Sequence, residues 1–353
     1  MKFCFCSYII RNTIISLLTI FIFTAALAQK QYVQVVPSNS GKAIDIIIGS
    51  KPFASFLYAE MFEKPVLTEI HAANGTVITR GFPLNIQPGD PTDHPHHIGL
   101  WLNFENVNGL DFWNNSYAID ADKKHLYGWI KTDRIEKISS GNTGTLVYHA
   151  NWTNIKNDIL AQETTSYIFS GTSHQRIIDR ITTIKADTVL LFTDAKDGLL
   201  GLRLAHALQI PTDKDQKFTD DKGNVTIVKG GADSIPNGNY VSSTGKYGDS
   251  VWSTRATWCK VFGKMGSDSV SVTIIDHPQN INYPTFWHAR GYGLFAANPL
   301  GEKIFTNNKS AKNLQLKKGE SVTFRYRIVI DDGKQTTGTA EINQLAHDFS
   351  KTK

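Results

Sequence analysis

Short runs of β-branched and aromatic residues recur along the chain, each closed by Gly, Asn, Asp or Pro. They are VQVVPS, AIDIIIG, FASFLYA, GTLVYHANW, ETTSYIFS, QRIIDRITTIKA, TVLLFTD, LGLRLAHALQI, NVTIVKG, SVSVTIID, GYGLFAAN and ESVTFRYRIVID. Runs of this length and composition read as strands. Several alternate strictly: Val322, Phe324, Tyr326, Ile328 and Ile330 fall on one face of their segment, Thr323, Arg325 and Arg327 on the other. Strand after strand with half-buried alternation predicts an all-β protein, a large antiparallel β-sandwich of supersandwich type. Only the tail, TAEINQLAHDFSK, has helical spacing, with Ile342, Leu345, Ala346 and Phe349 on one stripe, so a short C-terminal helix is expected.

No linker interrupts the pattern. The polar intervals Pro211–Asn224 and Lys229–Ser250 read as surface insertions, because strand patterns resume after each. The first residues carry Lys2, Arg11, an apolar run from Ile14 to Ala26 and Ala-Leu-Ala before Gln29. They read as a secretory signal, residues 1–28, cleaved after Ala28. A single domain over 29–353, exported to the periplasm or beyond and with no later membrane span, is the resulting expectation. Cys4 and Cys6 leave with the leader, so Cys259 has no intrachain partner and stability must come from a core. The net charge of +5 drops to about +3 without Lys2 and Arg11, with no basic run. Nucleic acid is not an expected partner.

One stretch is denser in site-forming side chains than the rest: PTDHPHHIGLWLNFENVNGLDFWN, Pro91 to Asn114. Taken as a strand from His97, it puts His97, Gly99, Trp101, Asn103 and Glu105 on one face. A Trp beside a glycine, flanked by donors and acceptors, suits stacking of a pyranose. Pro95 biases His94 toward an extended conformation. His94 and His96, two apart, are the spacing with which a strand offers two metal ligands, so a divalent metal is a candidate cofactor. The same imidazoles equally suit acid/base work or the orienting of a sugar.

Asp93-His94-Pro95 has an echo in Asp276-His277-Pro278, followed by Asn280, Trp287, His288 and Arg290. Shared chemistry predicts that the two copies converge on one pocket. Polar residues inside apolar strands extend the candidate set, since a buried charge is costly unless paired: Arg80, Glu163, Arg203, His206 and Arg255. The resulting assignment makes His97, His277, His288 and Glu163 catalytic. Arg80, Trp101, Asn103, Arg203, Arg255, Asn280, Trp287 and Arg290 bind substrate, and His94 and His96 are the metal candidates. No phosphate loop, nucleophile elbow or dinucleotide fingerprint is present.

The series TRGFP, DHPHHIGLWLNFENVNGLDFWN, DGLLGLR, RATWC and DHPQNINYPTFWHARGYGLFAANPLG resembles the PmoA family, labelled "methane oxygenase PmoA", over nearly the whole mature chain. That label implies a copper-dependent oxygenase. In size and β-richness the chain is also similar to galactose mutarotase-like sandwiches, a likeness that implies acid/base work by His and carboxylates on sugars. The favoured expectation is a carbohydrate-active enzyme of hydrolase, lyase or epimerase type acting on a glycan or modified sugar. The alternatives are the copper oxygenase and a non-catalytic glycan-binding protein.

Overall fold

The alternation in the Ser321–Asp331 segment is realised as a strand that buries Phe324, Tyr326, Ile328 and Ile330. In the computed structural model, residues 1, 29–87, 90–219, 225–231, 235–333 and 337–352 are described. Residues 2–28 of the expected leader, with Cys4, Cys6 and Ala28 before its cleavage point, lie outside them.

Among the described residues two eight-stranded sheets dominate. The first runs, edge to edge, through Val33–Pro37, Ala43–Ile48, Lys51–Leu57, Val66–Thr68, Leu100–Phe104, Gly198–Arg203, Leu294–Asn298 and Phe286–Ala289. The second runs through Asn239–Ser242, Trp258–Met265, Asp268–Asp276, Ser321–Asp331, Gln175–Ala186, Ile159–Gly171, Gly144–Thr153 and Trp129–Ser139. Strand pairing within both sheets is antiparallel. Their facing sides form one core, which Phe56 spans by meeting Tyr148 at 4.8 Å between ring centroids. The predicted all-β sandwich is thus the observed architecture.

The tail forms the helix Thr339–Ser350, which buries Ile342 and Phe349 against Trp258, Ile275 and Val329 on the outer face of the second sheet. Two local expectations are corrected. The Lys229–Ser250 interval is not only an insertion, because it supplies the edge strand Asn239–Ser242. The strand expected from His97 begins at Leu100. Gly99 sits at φ +54°, where a Cβ would lie 2.1 Å from the Leu67 carbonyl oxygen, so the chain turns there before it can pair.

The outer face of the first sheet positions the site. Leu100, Leu102, Leu200, Leu202, Phe295 and Ala297 point into the inter-sheet core, and their alternating neighbours Trp101, Leu294 and Ala296 belong to a second apolar cluster on the opposite face. Register aligns one row across four strands there: Trp101 opposite Gly201, Gly201 opposite Ala296, Ala296 opposite His288. Glycine is required at 201, since a Cβ would come within 2.4 Å of the Trp101 indole.

Candidate functional site

The Asp93–His97 segment folds as a turn closed by the His97 N–H on the His94 carbonyl at 3.0 Å, with Pro95 at the second position, where its fixed φ fits. His94 does not take the extended conformation that Pro95 favours; its φ is +47°. Arg80 explains how that conformation is held. Its Nη1 donates to the carbonyls of Pro91 (3.0 Å) and Asp93 (2.7 Å) and to Asp93 Oδ1 (2.8 Å). Its Nη2 donates to the carbonyls of His94 (2.9 Å) and His97 (3.1 Å). A left-handed non-glycine residue costs about 1–3 kcal/mol and persists only where its surroundings over-determine it.

Arg203, on the sheet, donates from Nη2 to the same Asp93 Oδ1 at 2.7 Å. Asp93 Oδ2 accepts from His94 Nδ1 in a short bond. Burial would raise the Asp93 carboxyl, but the bond from His94 and the guanidinium charges of Arg203 and Arg80 outweigh it and hold the group well below the usual carboxylate range. Asp93 is therefore a fixed anion, and its bond sets the His94 tautomer. With the proton on Nδ1, Nε2 carries the lone pair.

His94 is held between two parallel rings: His97 at 4.9 Å and 2°, and Tyr292 at 5.3 Å and 4°. The stack continues from His97 onto Trp101 at 5.2 Å. On the other side, the Arg290 guanidinium lies 5.8 Å from the Tyr292 ring centre and 5.4 Å from that of Trp252. The His94 side chain is 42 % exposed, against 0 % for the arginines behind it and 11 % for Asp93. It is the member of the cluster that solvent or a ligand reaches.

His96 and His97 are neutral. Burial drives the pKa of each well below the ordinary imidazole value, with Lys64 the next cause for His96 and His96 the next for His97. His97 Nδ1 faces Arg203 Nη1 at 3.4 Å, and a guanidinium can only donate. His97 thus carries its proton on Nε2, which has no acceptor within the described protein. His288, on the same sheet face, donates from Nδ1 to the Lys196 carbonyl at 3.1 Å and lies 3.5 Å from Asp197. Burial pushes it down to about 3, helped by the Lys196 and Arg290 charges. Burial raises the Asp197 carboxyl.

Several predicted site residues lie elsewhere. His277 is at the end of the second sheet, its ring edge-on to Phe349 of the C-terminal helix at 5.0 Å, so the two Asp-His-Pro copies do not meet. Asn280 clamps its own loop, donating to Asp276 Oδ1 and the Arg325 carbonyl, both at 2.7 Å. Arg255 holds the same loop through the carbonyls of Pro284 (2.9 Å) and Asn282 (2.8 Å). Glu163 belongs to the inter-sheet core, where Tyr148 (2.8 Å), Trp152 (3.0 Å), Thr165 (2.6 Å) and Arg180 (3.3 Å) saturate its carboxylate. Trp287 is a core residue. Trp101 is on the site's face but 0 % exposed beneath His97, so no sugar can stack on it. Asn103 is likewise buried and ties down the Phe112 carbonyl. Arg80 and Arg203 shape the site from behind, as anchors of Asp93.

Among the described residues no group of three His, Cys, Asp or Glu side chains could hold an ion, so His94 and His96 have no third protein ligand there. The sequence pattern misses Tyr292, Lys64 and Asp197. Lys64 is 4 % exposed, donates to the His96 carbonyl at 2.8 Å and lies 5.6 Å from the Trp101 ring centre. Burial pushes its amine down to about 8 against the charges of Glu63 and Asp111. A cavity of about 570 Å³ adjoins the anchor, walled by Arg80, Glu69, His71, Asp90 and His206 among others.

Residues 43–347 match the model of a family of unknown function, DUF6807. The chain belongs to that family. DUF6807 membership carries no activity with it, and the PmoA resemblance is not repeated by the comparisons. No curated protein matches. Among solved structures, a Synechocystis sp. PCC 6803 protein is 8 % identical, with 86 % of this chain and 97 % of that one covered and a TM-score of 0.36. The GH36 alpha-galactosidase AgaB of Geobacillus stearothermophilus is 12 % identical over 85 % of this chain and 41 % of its own, with a TM-score of 0.40. A galactose mutarotase related enzyme of Lactobacillus acidophilus is 10 % identical over 85 % and 98 %, with a TM-score of 0.30. These neighbours are remote, and the architecture of this DUF6807 chain stands on its own strand pairing.

Proposed function

We infer that this DUF6807 protein is an exported carbohydrate-active enzyme in which His94 Nε2 takes or gives a proton on a sugar or sugar-derived substrate. The observation that carries the reading is the Asp93–His94 dyad: a fixed anion, locked by two buried arginines, orients the one imidazole of the cluster that is 42 % exposed. A carboxylate that holds a histidine in one tautomer is what general acid/base catalysis requires. Neutral His96 and His97 add no competing charge. Tyr292 and Trp252, both partly exposed, with Arg290 between them, supply the aromatic and donor surface that a polyhydroxylated ring needs, in place of the buried Trp101 and Trp287.

The test is a panel of methyl and nitrophenyl glycosides followed by NMR for hydrolysis, elimination and epimerisation. His94→Ala is expected to lower turnover by roughly 10²–10⁴-fold while calorimetric binding is kept. A wild-type protein that binds glycosides and turns over none would make it a glycan-binding protein instead.

A further inference from the structure

The cations around the dyad are not equally engaged. Asp93 is shared by Arg80 and Arg203, so a single carboxylate faces two buried guanidinium groups, with Asp90 within electrostatic reach of Arg80. Lys64, buried nearby, has Glu63 and Asp111 within electrostatic reach but no ion pair among the described residues, and Arg290 makes none there either. Arg290 differs from the others in being half-buried and forward of His94, on the Trp252 and Tyr292 rings. No side-chain hydrogen bond is made by its guanidinium among the described residues. Asp197, an acid within its electrostatic reach, is engaged by Lys196 at 3.4 Å and lies 3.5 Å from His288.

We propose that the substrate handled at the Asp93–His94 dyad carries a carboxylate, a sugar acid of uronate type, and that Arg290 reads it. This rests on the dyad reading above and adds the substrate class. A guanidinium presents a rigid planar fork that matches a carboxylate with two parallel N–H···O bonds. Contact with two rings restrains that fork, and among the described residues no protein acceptor occupies its edge. The cations behind it, Lys64, Arg80 and Arg203, are too buried to be reached, which leaves Arg290 as the cation a ligand can meet beside His94. Through Tyr292, which stacks on His94 at 5.3 Å, the carboxylate-reading group and the proton-transfer group share one ring.

The experiment is calorimetric titration of the intact protein with methyl glucuronide, methyl glucoside and the corresponding galacturonide and galactoside, on the wild type, Arg290→Leu and Arg290→Lys. A uronide is expected to bind at least about tenfold more tightly than its neutral partner, an advantage that shrinks with added salt. Arg290→Leu is expected to weaken uronide binding more than neutral-glycoside binding and so to abolish that advantage, and Arg290→Lys to restore only part of it, since an ammonium lacks the fork. Equal binding of acidic and neutral glycosides, or equal weakening of both by Arg290→Leu, overturns this inference while the dyad reading stands. Binding of neither class overturns both.

Discussion

Replacing Asp93 with asparagine changes two properties at once, and the structure separates them. Oδ1 accepts from Arg80 Nη1 at 2.8 Å and Arg203 Nη2 at 2.7 Å, and Oδ2 accepts from His94 Nδ1. An amide has one acceptor atom. Two guanidinium groups can only donate, so the amide oxygen must face them, and its NH₂ then faces His94 Nδ1. That nitrogen becomes an acceptor, the ring proton moves to Nε2, and the base is lost. The two arginines, with 0 % exposed side chains, also lose their shared counter-charge. Removing one partner of a buried ion pair costs about 3–5 kcal/mol. Asp93→Asn is therefore expected to lower stability by about that much and turnover by roughly 10²–10⁴-fold. Urea denaturation measures the first. The second has a readout that needs no substrate: ¹⁵N shifts of the His94 ring report which nitrogen carries the proton. A variant that keeps the Nδ1–H tautomer, or loses under about 1 kcal/mol, would show that Asp93 neither orients His94 nor compensates the arginines.

Glu163→Gln is expected to cost about 3–5 kcal/mol by stranding Arg180 in the core while the His94 ring shifts stay those of the wild type; altered shifts would place Glu163 in the site after all. Dialysis against a chelator is expected to leave glycoside binding and turnover unchanged, and elemental analysis to find no stoichiometric metal; loss of either property on chelation would restore the metal reading of His94 and His96. Asp276 gives a pH signature. Burial pushes its carboxyl up to about 7 despite bonds from Asn280, Thr285 and His277, so the folded state holds its proton where the unfolded chain, near pH 3.9, does not. Its stabilising contribution is full below about pH 4 and lost as pH rises to about 7, roughly 4 kcal/mol at 1.36 kcal/mol per unit. Urea midpoints between pH 4 and 8 should show that slope in the wild type and not in Asp276→Asn.

Alternation and turn residues in the sequence suffice for the sheets and for the C-terminal helix, because each strand needs only its own period to be recognised. They do not disclose depth. The Leu100–Phe104 strand is buried at every position, since loops roof the outer face as closely as the second sheet covers the inner one. Trp101 therefore reads as a surface platform in a period-two pattern and is in fact packing beneath His97. A lone polar residue in an apolar strand has the same ambiguity. Glu163 and Arg203 look alike in sequence, yet four hydrogen-bonding neighbours close Glu163 into the core, whereas Arg203 leans outward to the acid beside His94.

The Asp-His-Pro-His-His cluster is legible as chemistry because so many imidazoles in one turn have few structural uses. Its partners are not legible, because strand order brings them in: the Gly198–Arg203 strand pairs with Leu100–Phe104 on one side and Leu294–Asn298 on the other. That pairing sets Arg203 beside Asp93, and the turn leading into the third strand carries Arg290 and Tyr292 to His94. The tripeptide echo misleads for the same reason. Asp276-His277-Pro278 follows a strand of the other sheet, so an identical local sequence caps a different layer, and it is His288, Arg290 and Tyr292, beyond the crossover from one sheet to the other, that return to the site's face. What distinguishes the two copies is the environment that meets them: two arginines and an exposed mouth for Asp93-His94, a loop clamp and a covering helix for Asp276-His277. The proposed proton transfer rests on the first copy, because of the two only Asp93-His94 joins a fixed anion to an exposed imidazole.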